Sequence, residues 1–393
     1  MEHARRVLRA SPVIDGHNDL PWAIRESKSA PRDVEAYDLL TRTTGQTDIP
    51  RLRQGGVGGQ FWSVYIPGEV KDSGFARIQL EQIDIALRTI ARYPDQLQLA
   101  LTAADAEAAM RRGRIASFLG MEGGHAIENS LGALRAYYAL GVRYMTLTHN
   151  VTLDWADAAL DSVKHEGLTS FGEEVVREMN RLGMIADLSH VSPGVMSDAI
   201  RVSEAPVMFS HSSARALTNV PRNVPDSILK LLPGNGGVVM VTFVPGFISQ
   251  ALADSQAAWG PRLRDLMRAA PDSAARAQIR RDFMASHHEP AVTVKDVADH
   301  VEHVRDVAGM DHVGLGGDYD GTDNLPEGMK DVSGYPVLFA ELIRRGWTDA
   351  DLAKLANGNI LRVLKGVEAT AARLQHERKP STKTIQEMDR STP

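Results

Sequence analysis

Val13-Ile14-Asp15-Gly16-His17-Asn18-Asp19 leads two β-branched apolar residues into an acid, a glycine, and then an imidazole and a carboxylate. The run reads as a short buried strand ending in polar side chains. Side chains two apart on an extended backbone share a face, so His17 and Asp19 can converge on one point. Placed that way they form half of a divalent metal site. The plainer alternative is a strand followed by a polar turn, and the rest of the chain has to decide between the two.

Seven further runs of the same kind follow, at 59–66, 115–122, 142–149, 184–190, 207–211, 237–243 and 312–318. They are short, apolar and nearly continuous, as parallel strands covered on both faces are. Helical patterns fill the intervals. Phe75 to Tyr93 and Leu131 to Leu140 are two of them. Ser170 to Leu182 opens on a capping-box spacing of Ser170 with Glu173. A helix from Ser192-Pro193 to about Ser203 has a cap and a first-turn proline. Thr293 to Ala308 again has capping-box spacing, and Thr348 to Leu364 is the last long helix.

Alternating strands and helices imply a parallel sheet, and eight units favour closure into a single (β/α)8 TIM-type barrel. Two connections, 20–55 and 244–311, are long enough to be inserted loops and extra helices. No linker splits the core, so residues 1–375 form one domain, and from His376 a polar tail, 376–393, is expected to be mobile.

Composition narrows the chemistry. The chain of 393 residues has a net charge of −6, which argues against general nucleic-acid binding. It has no cysteine, so any metal must be held by His, Asp or Glu. No stretch has the apolar length of a bilayer span, and no lipid-anchor signal is seen. The basic residues Arg5, Arg6 and Arg9 precede the first strand without an apolar signal core. A cytoplasmic location without a membrane anchor is the expectation.

Six of the eight strands end in polar groups: His17 with Asp19, Glu122, His149, His190, His211 and Asp318. A barrel places its active site at that face, with groups drawn from several strands. One such histidine is usually a structural residue. Carboxylates from several strands aimed into one cavity would repel unless a cation neutralised them. His17, Asp19, Glu122, His190 and His211 suffice for two metals, with a carboxylate such as Glu122 able to bridge a pair ~3.5–4 Å apart. An N/O ligand set suits Zn²⁺, with Mn²⁺ or Co²⁺ conceivable. Two metals sharing a water make hydroxide available near neutral pH and polarise a carbonyl, which is hydrolytic chemistry.

Asp318 lies among glycines and could move the proton of that water, or it could cap a turn. His149 could stabilise an oxyanion or bond to the adjacent Asn150. Arg222 sits between Pro221 and Pro225, on a loop stiff enough to present its guanidinium to a substrate carboxylate; a surface salt bridge is the plainer reading. His287-His288, and His300 with His303, are set aside as ligands because they belong to the excursion before the eighth strand. Arg262, Arg264, Arg268, Arg280 and Arg281 read as a solvated helix face.

Taken together, Asp15-Gly16-His17-Asn18-Asp19-Leu20-Pro21, Gly120-Met121-Glu122-Gly123-Gly124, Thr146-Leu147-Thr148-His149-Asn150, Asp187-Leu188-Ser189-His190, Phe209-Ser210-His211-Ser212, Pro221-Arg222-Asn223 and Gly317-Asp318-Tyr319-Asp320-Gly321 resemble the membrane (renal) dipeptidase family of zinc metallopeptidases. The match runs in order from the first strand to the last. The resemblance implies an amidohydrolase-like barrel that cleaves dipeptides, L-Xaa-D-Xaa included, with a binuclear zinc centre of two Zn²⁺ per chain. His17 and Asp19 would hold one zinc, His190 and His211 the other, and Glu122 would bridge. His149 would face the scissile carbonyl, Arg222 would bind the terminal carboxylate, and Asp318 would act as acid/base. The disulfide and the lipid anchor of many animal members do not carry over to this chain, and a homodimer stays compatible with it. Two readings compete: an amidohydrolase acting on N-acyl amino acids, and a non-catalytic barrel that binds a small ligand.

Overall fold

The computed structural model describes residues 1–69, 74–270, 272–287 and 289–389. Eight parallel strands are β1 Val13–Asn18, β2 Val57–Ser63, β3 Ile115–Glu122, β4 Val142–Thr146, β5 Ile185–Asp187, β6 Met208–Phe209, β7 Val238–Val241 and β8 Val313–Leu315. Each pairs with its neighbours in sequence, and β8 returns to β1 through Asp15 opposite Leu315, which closes the barrel. All eight expected strands are present, as the (β/α)8 reading requires.

A ninth short strand, Leu97–Leu99, pairs with the first half of β3. Three residues are too few to show a period, which is why it was not expected.

The barrel fills from within by alternation along the strands. On β3, Ala116 and Phe118 enter the interior cluster with Ile14, Phe61, Tyr144 and Met240, while Ile115, Leu119 and Met121 join the outer layer beneath the helices. Phe61 stacks on Phe118 at 4.6 Å between ring centroids. The same alternation carries Gly120 and Glu122 inward, so the apolar interior becomes the floor of whatever lies at the top of the barrel.

The helices follow the sequence closely, at Phe75–Arg92, Leu131–Ala139, Ser170–Leu182, Pro193–Val202 and Val294–Ala308. Thr293 and Asp296 form the expected capping box. Ser170 does not cap its helix: Thr169 does, its side chain accepting from the Gly172 N–H. The final helix does not stop near Leu364. After a π turn at Lys354–Gly358 it runs on to Glu377, because Val367, Ala371 and Leu374 keep its buried stripe going.

The described part of the tail expected to be mobile, up to Asp389, is tied down, and 390–393 lie outside the described residues. Ser381 donates its N–H to Glu178 and accepts from Arg135, and Asp389 accepts from the Thr169 hydroxyl and the Phe171 N–H. A carboxylate at the start of helix Ser170–Leu182 meets unpaired backbone donors and the positive end of the helix dipole. The two long connections contain helices, among them Ile49–Gly55 in the first, and Gln250–Ala269 and Ser273–Ser286 in the second. Among the described residues no helix is long and apolar enough to cross a membrane.

Two buried histidines make the fold sensitive to acid. His300 accepts the Ala214 N–H at Nδ1, and His125 meets the Ile66 carbonyl through Nε2. Burial lowers each from 6.5 to about 4. Above 6.5 both states are neutral and stability is complete. Below it the unfolded chain takes up protons that the folded chain refuses, so stability falls until about pH 4, by up to ~3 kcal/mol for each group. Urea unfolding midpoints should therefore decline between pH 6.5 and 4, and His300→Asn, which keeps an acceptor near Nδ1, should show a shallower decline than the parent.

Candidate metal centre

The eight singled-out residues meet at the C-terminal ends of the strands. Glu122 ends β3, and its two oxygens face different groups. Oε2 accepts from Ser63 at 3.1 Å and lies 3.4 Å from His17 Nε2. Oε1 lies 3.0 Å from His190 Nε2, 3.5 Å from His211 Nε2 and 3.8 Å from His149 Nε2. His17 Nε2 is also 3.2 Å from Asp19 Oδ2 and 3.9 Å from Asp318 Oδ1.

Asp19 reaches this point differently from the sequence reading. Strand β1 ends at Asn18, and Asp19 is the N-cap residue of the helix Leu20–Arg25. Between Asp15 and Asn18 the register with β2 shifts. His17 and Asp19 converge through that irregularity and the helix start, where simple alternation along one strand was expected.

Three sets of ligand atoms lie within 4.8 Å of one another: His17 with Glu122 and His211, Glu122 with His149 and His190, and His17 with Asp19 and Asp318. His17 Nε2 is buried without a hydrogen-bond partner, and the Nε2 atoms of His190 and His211 are 2.9 Å apart. An orphaned buried nitrogen costs ~1–3 kcal/mol, and two facing lone pairs need a cation or a proton between them. Imidazole nitrogens mixed with carboxylate oxygens are the donor set of a borderline divalent cation, so these residues fit a metal.

The far side of each ring is held as well. The Nδ1 atoms of His190 and His211 meet the Asn150 amide oxygen at 2.9 Å and the Ser210 hydroxyl at 2.8 Å, and Ser210 in turn donates to Asp187. Both acceptors put the hydrogen on Nδ1 and leave the Nε2 lone pair facing Glu122, which is how a metal-binding histidine is oriented. His17 Nδ1 is 2.8 Å from the Tyr144 hydroxyl. Asn150 thus serves His190 and not the adjacent His149.

Tyr144 fits because β3 carries Gly120 beside it; a Cβ there would come within 2.0 Å of the Tyr144 ring. His190 and Asp318 hold left-handed backbones, with φ of 67° and 58°, a strain typical of functional positions.

Burial sets the charges. It pushes the Asp318 carboxyl well above the usual carboxylate range, with Asp19 and Glu122 adding repulsion against the pull of His17 and Arg222. Burial acts on Glu122 in the same direction, but His17 and His190 outweigh it and hold Glu122 well below that range. Burial, reinforced by Arg222, keeps His190 and His211 well below the usual histidine value. His149 is lowered too, chiefly by burial.

Arg222 departs from the surface salt bridge considered for it. It is 2% exposed, and among the described residues no carboxylate lies within 4.0 Å of its guanidinium. Its hydrogen bonds go to the His211 carbonyl at 3.3 Å and the Ser212 hydroxyl at 3.5 Å, and it lies over the Phe247 ring. Burial pushes it down to about 10, so it stays charged at neutral pH. It opens on a cavity of about 360 Å³ whose walls include Trp22, Tyr65, Leu160 and Phe247 and whose floor is the cluster around Glu122.

The residues set aside lie elsewhere. His300 is structural, and His303 pairs with Asp226 at 2.8 Å. His287 stacks on Phe283, and His288 falls outside the described residues. Arg262, Arg264, Arg268, Arg280 and Arg281 are exposed. Sequence reasoning missed the roles of Tyr144, Asn150 and Ser63, whose partners are distant in the chain, of Ser210 beside His211, and of the buried acids Asp15 and Asp187. One signal was available: each of these aspartates precedes a site histidine by two or three residues.

A family model described as "Membrane dipeptidase (Peptidase family M19)" matches residues 1–378. Among solved structures, the chain is similar to the probable dipeptidase PvdM from Pseudomonas aeruginosa, with 25% identity, 94% of this chain and 98% of that one covered, and a TM-score of 0.79. A metallo peptidase from Rhodobacter sphaeroides, liganded with a phosphinate mimic of the dipeptide L-Ala-D-Ala, matches at 25% identity over 91% of this chain and 99% of that one, with a TM-score of 0.75. A metallo peptidase described as dipeptidase AC matches at 26% identity over 91% and 98%, with a TM-score of 0.74.

The clearance at Gly120 can be tested directly. Gly120→Ala should force the Tyr144 ring off His17, destabilise the fold by ~1–3 kcal/mol and weaken metal binding by ~10-fold or more. Thermal melts and isothermal titration with Zn²⁺ would measure the two effects.

Proposed function

The chain belongs to the membrane dipeptidase family of metal-dependent hydrolases, and from that premise we propose that it cleaves dipeptides at a centre of two zinc ions. His17 and Asp19 would hold one ion, His190 and His211 the other, with Glu122 between them. The observation that carries this reading is the split of Glu122, one oxygen toward each pair of ligands. When bound, zinc supplies Lewis acidity and a hydroxide nucleophile near neutral pH.

The chain's own residues supply the rest. Arg222 is a buried cation without a carboxylate partner among the described residues, and a substrate's terminal carboxylate completes it. That requirement, with the modest cavity, selects substrates that end one residue beyond the cut bond. His149, kept neutral by its surroundings, donates a hydrogen bond at the scissile carbonyl as charge develops there. Asp318 lies on the Asp19 side of the cluster, its Oδ1 3.9 Å from His17 Nε2, and acts from its carboxylate form. It takes up the proton of the attacking water and passes it to the departing amine. The Rhodobacter sphaeroides relative with an L-Ala-D-Ala mimic supports including substrates with a D-residue in second place. N-acyl amino acids also present a carboxylate to Arg222, and a parallel assay of the two substrate classes separates them.

Treatment with dipicolinate should abolish dipeptide cleavage and added Zn²⁺ should restore it; an unchanged rate after complete metal removal would refute the reading. Asp318→Asn should keep both metals while kcat falls by ~10²–10⁴-fold, with metal content and turnover measured on the same preparation. Arg222→Met should lower kcat/KM for dipeptides by ~10–100-fold, the worth of a charge-assisted hydrogen bond. It should leave cleavage of the matching dipeptide amides nearly unchanged.

A further inference from the structure

Beneath the metal centre lie two fully buried carboxylates, Asp15 and Asp187, that neither face the cavity nor belong to the proposed ligands. Among the described residues neither has an Arg, Lys or His side-chain nitrogen within 4.0 Å. Each is compensated by four hydrogen bonds instead. Asp15 Oδ1 accepts from the His17 N–H at 2.9 Å and Gln60 Nε2 at 2.7 Å, and Oδ2 accepts from the Gly317 N–H and the Tyr335 hydroxyl, both at 2.7 Å. Asp187 Oδ1 accepts from the N–H groups of Ser189 and Ser210, and Oδ2 accepts from the hydroxyls of Thr146 and Ser210.

A buried carboxylate with no counter-ion is expensive to keep, so what its donors are matters. Those of Asp187 lie on the His190 and His211 side of the site and none is on β8. Those of Asp15 straddle the closing seam of the barrel: one is the backbone of the ligand His17, another the backbone of Gly317, the residue before Asp318.

The same seam continues upward. The Asp318 N–H donates to the His17 carbonyl at 3.2 Å, and the Asp19 N–H donates to the Tyr319 carbonyl at 2.9 Å. Asp318 sits among these bonds with φ of 58°, a conformation that is unfavourable for a non-glycine residue and has to be held by its surroundings.

We propose that Asp15 is a positioning residue for Asp318. By gripping the main chain on both sides of the β1–β8 seam, it fixes the Asp318 carboxyl against the His17 half of the centre, while Asp187 orders metal ligands only. The proposal rests on the acid/base role given to Asp318 above.

Steady-state kinetics at saturating Zn²⁺ would test it, using Asp15→Asn, Asp187→Asn and Tyr335→Phe, each alone and combined with Asp318→Asn, with metal content measured throughout. An amide in place of Asp15 leaves two donors facing an NH2 group. Asp15→Asn should lower kcat by ~10–100-fold, as a displacement of about 1 Å at a reacting group does. KM should stay within about threefold, with both metals retained. In the Asp318→Asn background the same change should cost less than about threefold, since the group it positions is already gone.

Asp187→Asn should instead weaken Zn²⁺ binding, and its effect should multiply with that of Asp318→Asn. Tyr335→Phe removes one of the four donors and should show a smaller loss with the same background dependence, so it carries the test if Asp15→Asn does not fold. Equal losses from Asp15→Asn and Tyr335→Phe in both backgrounds, or losses that match a fall in measured metal content, would overturn the positioning role while leaving the acid/base role intact. Wild-type turnover in Asp318→Asn alone would overturn the acid/base reading, and this inference with it.

Discussion

A carboxylate buried at the top of an apolar barrel, with an imidazole close to each of its oxygens, is the constraint on which the rest of this structure depends. Glu122 alone would be an expensive charge to bury. Between His17 and His190 it is compensated, and it compensates them in turn. The position follows from the alternation of β3, which sends Phe118 into the interior and Glu122 to the rim above it. Because the floor is Phe61, Phe118 and Tyr144 rather than water, charges above it interact in a low-dielectric setting. Small displacements there change energies strongly.

Much of this arrangement could be read from the chain before folding it. The barrel was legible because a parallel strand covered on both faces shows as a short continuous apolar run, and eight such runs alternate with helices. The face of the site was legible because polar groups closed six of those runs. What stayed hidden has a common physical cause. Tyr144 belongs to an apolar run and touches His17 from 127 residues away, and nothing local marks that meeting. Asn150 reads as the partner of the histidine beside it, yet it serves one 40 residues on. Arg222 looked equally like a surface residue or a buried one, since two flanking prolines stiffen a loop without saying which way it faces. The docked tail was unreadable for the opposite reason. Its polar residues are those of a solvated segment, and only the open end of helix Ser170–Leu182 gives Asp389 donors to accept from.

Part of the backbone strain lies where the chemistry is placed. The left-handed backbones at His190, Asp318 and Asp320 fall in the loops that leave the barrel, not in the strands that build it. Each aims a side chain inward at some conformational cost. The rigid barrel makes that cost bearable. The helices Gln250–Ala269 and Ser273–Ser286 of the second excursion remain largely exposed and lie outside the ligand cluster.

The closing seam has a consequence for how the molecule comes into being. Asp15 and Gly317 are 302 residues apart, and the carboxylate of one already holds the backbone of the other. Contacts of such separation bear the full entropy of loop closure before they return anything, and folds rich in them form slowly. During synthesis His17, Asp19 and Glu122 leave the ribosome long before β8 exists to shut the barrel. Until that last strand arrives the barrel that gathers these side chains at one rim is open. Maturation of the centre is then gated by the end of translation, and a chain cut short between His211 and β8 would carry all five proposed ligands and no closed barrel to hold them.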